Sequence, residues 1–278
     1  MFYLLLAILS SVSVSLLMRL SAKKAGNSYF MLSANYFVCF FIAAFFTGFD
    51  SMFPKSSGLG QAIFLGGING FLYLISFVLY QHSVKKNGMV LSSTFMKLGL
   101  LVPIGVSLLL FQQIPSFLQA IGFGIALIAI VLIQFQGKET SGTFSLGLIL
   151  ILITGGGANA MSEIYDEVGN RALSSQFLLY TFLAALLLCL ALTWFHKEKP
   201  SKHSLLYGFA IGIPNYFSAR FLLLSLKSVP AAVAHPTYSA LSVCLVSVLG
   251  VCLFCEKLTK RQWLGMGFIL ISLILLNI

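Results

Sequence analysis

The chain is poor in charge. Only 9% of its 278 residues are Asp, Glu, Lys or Arg, and only 7 are acidic, whereas about a quarter of a water-soluble domain is charged. No hydrophilic stretch is long enough to fold as a separate soluble domain. Recurring chemical signatures are missing too. There is no H-E-x-x-H, no G-x-x-x-x-G-K-[ST], no pair of His ligands and no Ser/Lys arrangement at a catalytic spacing. The four histidines, His82, His196, His203 and His235, are scattered. These absences speak against a soluble enzyme, a nucleic-acid binder and any cofactor or metal site. The five cysteines fall in or at the end of apolar runs. Cys252-x-x-Cys255 has no second pair, so all five are expected to be buried free thiols rather than redox or zinc ligands.

What is present is apolar. Hydrophobic residues make up 59% and mean hydropathy is +0.98. A bilayer-crossing helix needs about 20 apolar residues. Ten runs qualify: Phe2–Met18, Phe30–Phe49, Gln61–Tyr80, Met89–Phe111, Phe117–Phe135, Ser145–Ile164, Ser174–Phe195, Leu205–Leu226, Ala231–Phe254 and Trp263–Ile278. The fold expected is therefore an all-α integral membrane protein of ten transmembrane helices. Met1-Phe2-Tyr3 carries no Lys or Arg, so the first run reads as a retained helix rather than a cleaved signal.

The formal net charge of +10 is uneven. Loops after odd-numbered runs hold twelve of the basic residues, among them Arg19, Lys85, Lys86, Lys197 and Lys257. Loops after even-numbered runs hold Lys55, Arg171 and Lys227. By the positive-inside rule the first set is cytoplasmic, which puts both termini outside.

The chain also repeats. Shifted by about 143 residues, Phe111 meets Phe254, Gln113 meets Glu256, Ser116 meets Thr259, Gln119 meets Gln262, Gly122 meets Gly265 and Gly124 meets Gly267. Tyr73 falls on Tyr216, Thr94 on Thr237 and Gly26 on Gly169. Five runs per half is an odd number, so the second half is inverted relative to the first, as in many secondary transporters. Ser116 and Thr259 are placed to cap the last helix of each half, and the glycines after them to allow close helix approach.

The stretch Phe254-Cys-Glu-Lys-Leu-Thr-Lys-Arg-Gln-Trp-Leu-Gly resembles the closing segment of an EamA-type repeat of the drug/metabolite transporter superfamily. In the first half Gln113 stands where that family has Glu, and Pro115 replaces Leu. The resemblance implies two inverted five-helix repeats, 1–137 and 138–278, around a central cavity worked by alternating access. It also implies cytoplasmic termini, against the charge count.

Polar groups inside the runs mark a candidate site. Lys97 and Arg220 are basic groups in apolar spans; they either line the cavity and attract a carboxylate or phosphate, or pair elsewhere or snorkel. Glu163 and Glu167 share a helix face with Asp166 beside them, and Glu163 is a candidate for a coupling proton or for pairing with Arg220. His235, before Pro236, is the second proton-coupling candidate. Tyr73, Asn159, Asn215 and Tyr216 are the remaining substrate-binding candidates. Thr154-Gly-Gly-Gly-Ala-Asn159 and the serine-rich Ser10–Ser15 make thin, polar first helices, suited to a cavity wall or to close packing. Pro214 is expected to kink its helix.

The functional expectation is a secondary transporter in the bacterial cytoplasmic membrane, moving a small organic metabolite, with export favoured and an amino acid or other carboxylate as the first substrate class. The partners expected are that solute, the lipid bilayer and a coupling proton. A channel or scaffold without coupled transport is the alternative, an integral membrane enzyme a more distant one.

Overall fold

In the computed structural model the described residues are 2–24, 28–99, 101–102, 116–134, 146–225, 229 and 231–275. They form ten α-helices and, among them, no strand. These are α1 (Phe2–Lys24), α2 (Ser28–Thr47), α3 (Leu59–Asn87), α4 (Met89–Leu98), α5 (Phe117–Gln134), α6 (Leu146–Val168), α7 (Ser174–Phe195), α8 (Lys202–Ser225), α9 (Ala231–Phe254) and α10 (Lys260–Leu275). Short 3-10 turns at Phe49–Ser51 and Arg171–Leu173 lead out of α2 and into α7.

Five of the helices, α1, α2, α3, α7 and α9, contain stretches long and apolar enough to cross a membrane. The others are shorter, or carry more polar residues, over the described range. Of the expected span Met89–Phe111, the described residues are 89–99 and 101–102: α4 ends at Leu98, Gly99 interrupts it by donating its backbone N–H to the carbonyls of Met96 and Lys97, and residues 101–102 are helical again. Helix α8, in contrast, runs unbroken through Pro214. Its neighbour α2 packs against that region, where the Cys39 thiol donates to the Gly212 carbonyl at 3.3 Å.

Helix packing follows the small residues. Gly66 and Gly70, one turn apart on α3, press on α7; a Cβ on Gly70 would stand 2.4 Å from the Thr181 carbonyl oxygen. Gly208 and Gly212 do the same for α8 against α2, where a Cβ on Gly208 would meet the Met31 carbonyl oxygen at 2.4 Å. Such small-xxx-small pairs let backbones touch. Further contacts join α1 to α8 and α9, α6 to α3 and α4, and α5 to α10. The largest core cluster includes Met18, Tyr36, Phe77, Phe182 and Tyr216; a second, between α4, α5, α6 and α10, includes Phe95, Leu98, Ala129 and Ile269.

The matched segments before α5 and α10 form the same device. Ser116 Oγ accepts from the Gln119 N–H at 3.2 Å, while Gln119 Oε1 accepts from the Ser116 N–H at 2.9 Å. Thr259 and Gln262 repeat both bonds at 3.3 and 2.8 Å. Each is a complete capping box, satisfying two amides that the helix cannot. The glycines behind them divide. Gly122 is buried and its carbonyl accepts from Ser272 at 2.7 Å, but a Cβ on Gly124 or Gly267 would meet nothing within 4 Å. Those two therefore do not mediate the close approach expected of them.

The connections gather on two ends of the helix array. Around the segments that follow α1, α3, α7 and α9, Arg19 reaches Glu256, Glu256 reaches Met89 and Val90, and Glu198 accepts from the Phe30 N–H at 2.7 Å. Around those that follow α2 and α6, Gln176 and Tyr180 donate to the carbonyls of Ser51 and Met52, and Asn170 to that of Ser57. Between the two ends the outer surface is apolar, with Phe45 72%, Phe64 67% and Leu206 69% exposed. In water each such side chain would forgo about 1.5–3 kcal/mol of burial. Among lipid tails it forgoes little.

The cysteines are free, and Cys39 and Cys189 are buried as expected. Cys252 and Cys255 are exposed, because Cys252 lies on an outer face of α9 and Cys255 lies beyond its end with φ 51°. No cluster of metal-ligating side chains occurs among the described residues.

Candidate functional site

A cavity of about 120 Å³ lies at the centre of the array. Its wall comes from α1 (Ser11, Val14, Ser15), α3 (Tyr73, Ser76, Phe77, Tyr80), α4 (Ser93, Met96, Lys97), α6 (Gly155, Ala158, Asn159), α8 (Asn215, Ser218, Ala219, Leu222) and α9 (Tyr238, Ser239). Four sequence candidates, Lys97, Tyr73, Asn159 and Asn215, meet there. Tyr216 and Arg220 are not among the lining residues. Arg220 donates to the Tyr216 hydroxyl at 3.1 Å, one turn back on α8, and its guanidinium lies 4.3 Å from the centre of the Phe46 ring. Tyr216 is buried among Phe46, Phe182 and Phe217. The side chains of Glu163, Asp166, Glu167 and His235 lie outside the described residues, as does Gln113.

Lys97 owes its position to two glycines. Helix α6 offers Gly156 to the end of α4, and a Cβ there would stand 2.3 Å from the Gly99 carbonyl oxygen. The backbones therefore touch where α4 ends, and Lys97 lies in its last turn. A cation there faces the negative end of the helix dipole. Its ammonium stands 3.7 Å from the centre of the Tyr238 ring, a cation–π contact. The Tyr238 hydroxyl shares a 2.8 Å hydrogen bond with Ser218. Lys97, Tyr238 and Ser218 thus link α4, α9 and α8 across the cavity. Whereas Arg19 pairs with the Glu256 carboxylate, Lys97 is held by a ring.

The remaining polar wall differs in how far it is satisfied. Asn215 donates to Asn35 Oδ1 at 3.2 Å, so α2 fixes it. The Ser76 and Tyr80 hydroxyls are buried and complete no hydrogen bond. Buried polar atoms are nearly always paired with protein, water or ligand, so these two point to a wetted or ligand-holding space. Asn159, a substrate-binding candidate, lines the cavity. Its side chain is exposed.

Residues 144–278 match the EamA-like transporter family. That family lies within the drug/metabolite transporter superfamily. A Haemophilus influenzae protein, itself uncharacterized, is 24% identical over 279 residues, spanning 95% of this chain and 94% of its own. A protein of known crystal structure superposes with TM-score 0.66 at 13% identity, covering 98% of this chain and 96% of its own, a likeness of fold alone. The five helices apolar enough to cross a bilayer, together with this match to a transporter family, make the chain a multi-pass membrane protein.

The EamA-like segment supplies α6, α8 and α9, and with them Asn159, Asn215, Ser218 and Tyr238. Lys97 lies outside that segment, and the residue 143 positions later, within it, is Ala240. Sequence reasoning missed Tyr238, Ser218, Ser76, Tyr80 and Ser93 as lining groups. The signal available was spacing: Ser93 and Lys97 share a face of α4, and Tyr73, Ser76 and Tyr80 one face of α3.

Proposed function

We propose that this protein is a secondary transporter that binds a small organic solute bearing a carboxylate in the central cavity and exposes it to either side of the cytoplasmic membrane in turn. The observation that carries this reading is Lys97, a cation in the last turn of α4 over an aromatic ring, in a cavity whose other polar lining groups are hydroxyls and amides. A carboxylate replaces the ring contact with a charge-assisted hydrogen bond, roughly twice as strong as a neutral one. Tyr73, Asn159, Asn215, Ser218 and Tyr238 then orient the rest of the solute. The cavity volume of about 120 Å³ fits a solute of amino-acid size rather than a large lipophile.

Ten crossings in two inverted repeats are part of the same proposal, and three observations support them. The cavity wall uses α1, α3, α4, α6, α8 and α9, a set unchanged when each helix is exchanged with the one five places away. At the repeat offset, Ser15 and Ala158, Ser76 and Ala219, and Met96 and Ser239 all line the cavity as matched pairs. The packing obeys the same exchange: α3 on α7 corresponds to α8 on α2, and α5 pairs with α10. Alternating access then amounts to rocking one half against the other around a fixed midplane site. Glu163 and His235 are the proposed carriers of a coupling proton.

The test is uptake of amino acids and organic acids into proteoliposomes, with thermal stabilisation of the detergent-solubilised protein in parallel. A bound ligand raises the melting temperature by mass action. Saturable carboxylate uptake in the wild type, lost in Lys97→Gln together with the thermal shift, is the expected result. Uptake by Lys97→Gln at the wild-type rate refutes the site; stabilisation by lipophilic cations alone refutes the substrate class.

A further inference from the structure

A second cavity, of about 460 Å³, lies on the outer side of the molecule between α3 and α7. Its wall includes Phe71, Ile75 and Leu79 from α3, Leu188 and Phe195 from α7, and Tyr29 from the start of α2. No charged residue lines it. The two helices touch at Gly66 and Gly70 and border this cavity from Phe71 onward, so the crevice deepens away from the glycine contact towards the lysine-rich end of the array.

That end changes character abruptly. The α3 face carrying Phe71, Ile75 and Leu79 continues at helical spacing through His82 to Lys86, both exposed. On the other side the mouth carries His196, whose ring lies 4.6 Å from that of Tyr29, and then exposed Lys197. Glu198, the acid of this connection, has a carboxylate oxygen engaged by the Phe30 N–H. Trp194 and Phe195 are 76% and 70% exposed beside the mouth, as aromatic residues at a membrane–water boundary are. From Phe71 to His82 the helix rises roughly 16 Å, close to the hydrocarbon depth of one leaflet, about 15 Å. The site is therefore an apolar slot one leaflet deep under a cationic rim.

We propose that this slot holds one anionic phospholipid, its acyl chain between α3 and α7 and its phosphate at His82, Lys86, His196 and Lys197. The inference rests on placement of the helices in a bilayer and is independent of what the central cavity carries. An anionic headgroup gains roughly fivefold in affinity from each lysine near it, so the two lysines together supply about 25-fold.

The experiment is native mass spectrometry of the detergent-solubilised protein titrated with phosphatidylglycerol and with phosphatidylcholine of the same chains. One tightly retained phosphatidylglycerol, bound at least tenfold better than phosphatidylcholine, is expected. Lys86→Gln combined with Lys197→Gln should weaken that adduct about 25-fold and leave phosphatidylcholine binding unchanged; both positions are exposed, so the fold does not depend on them. Ala191→Phe, which narrows the slot, should weaken both lipids. Equal retention of the two lipids, unchanged phosphatidylglycerol binding by the double lysine variant, or displacement of the adduct by millimolar glycerol phosphate would overturn the proposal. The last outcome would assign a soluble phosphate site. None of these readings uses transport, so loss of the transporter reading would leave them intact.

Discussion

Removing the Glu256 carboxylate should do more damage than removing any exposed charge, because it serves three partners on two helices, Arg19 on α1 and Met89 and Val90 on α4. Oε1 accepts from the Met89 N–H at 2.7 Å and Oε2 from the Val90 N–H at 3.0 Å, at the very start of α4. Arg19 Nε stands 3.1 Å from Oε1 but lacks the alignment of a hydrogen bond, so that contact is chiefly Coulombic. The Glu256 side chain is 8% exposed, which keeps its charge poorly screened, and that of Arg19 is 19% exposed. Hydrogen bonds to a charged group contribute about 1.5–3 kcal/mol each, whereas the ion pair contributes less because Arg19 is partly exposed to water. These overlap, since the same carboxylate is lost once. Glu256→Ala should therefore destabilise by about 4 kcal/mol. Glu256→Gln, which keeps one acceptor oxygen, should cost about 2 kcal/mol. Arg19→Met leaves both backbone bonds in place and should cost about 1 kcal/mol. Gly88, with φ 85°, permits this arrangement, since a Cβ there would press on the carboxylate at 2.9 Å. The assay is reversible unfolding in mixed detergent micelles followed by helical circular dichroism, with the double variant closing a thermodynamic cycle. A cost below about 1 kcal/mol for Glu256→Ala, or an Arg19→Met cost equal to it, would refute the claim that the helix start rather than the ion pair is what the carboxylate holds.

Other outcomes follow from the same geometry. Thr259→Ala opens the capping box before α10 and should lower stability by about 1 kcal/mol, read as a drop in melting temperature with transport kinetics unchanged. Arg220→Gln should lower the melting temperature through loss of the Tyr216 and Phe46 contacts while leaving the substrate KM within about twofold; a large rise in KM would bring Arg220 into the site. Tyr238→Leu removes the ring under Lys97 and should weaken carboxylate binding less than Lys97→Gln does, as thermal shift measures.

Much of the scaffold was legible because it is written in local rules. The Ser116 and Thr259 caps follow from a hydroxyl before an apolar run, and the glycine run of α6 from the absence of Cβ atoms. The Ser10–Ser15 tract likewise proved to be cavity wall at Ser11 and Ser15. What the sequence concealed depends on three dimensions. Lys97 and Arg220 look alike as lone cations in apolar runs. One is delivered to the cavity by a helix break at Gly99, the other turned away by Phe46 and Tyr216. Tyr73 and Tyr216 coincide in the repeat, yet only Tyr73 lines the cavity. The break at Gly99 was hidden because a single glycine inside an apolar run is compatible with a continuous helix; Gly156, which touches it, is far away in sequence.

That contact separates three neighbouring glycines into three different outcomes. A methyl group on Gly156 would stand 2.3 Å from the Gly99 carbonyl oxygen and 2.4 Å from Val102 Cγ2. Neither neighbour is the loose end of a long side chain, so α4 must move off α6, and Lys97 moves with it. On Gly155 the first obstacle is the Ser76 hydroxyl at 3.2 Å, a group that rotates, although it is one of the unpaired atoms of the cavity wall. On Gly157 the first contact is Leu72 Cδ1 at 3.5 Å, ordinary packing distance. Replacing glycine by alanine inside a helix otherwise gains about 0.8–1 kcal/mol. Gly157→Ala should accordingly raise the melting temperature and leave transport as it was. Gly155→Ala should be nearly neutral in stability and shift KM. Gly156→Ala should lower both stability and transport, with the ligand-induced thermal shift lost even at temperatures where the variant is fully folded. If all three variants behaved alike, the glycine run would matter only as a soft stretch of helix, and the contact that delivers Lys97 to the cavity would have no part in binding.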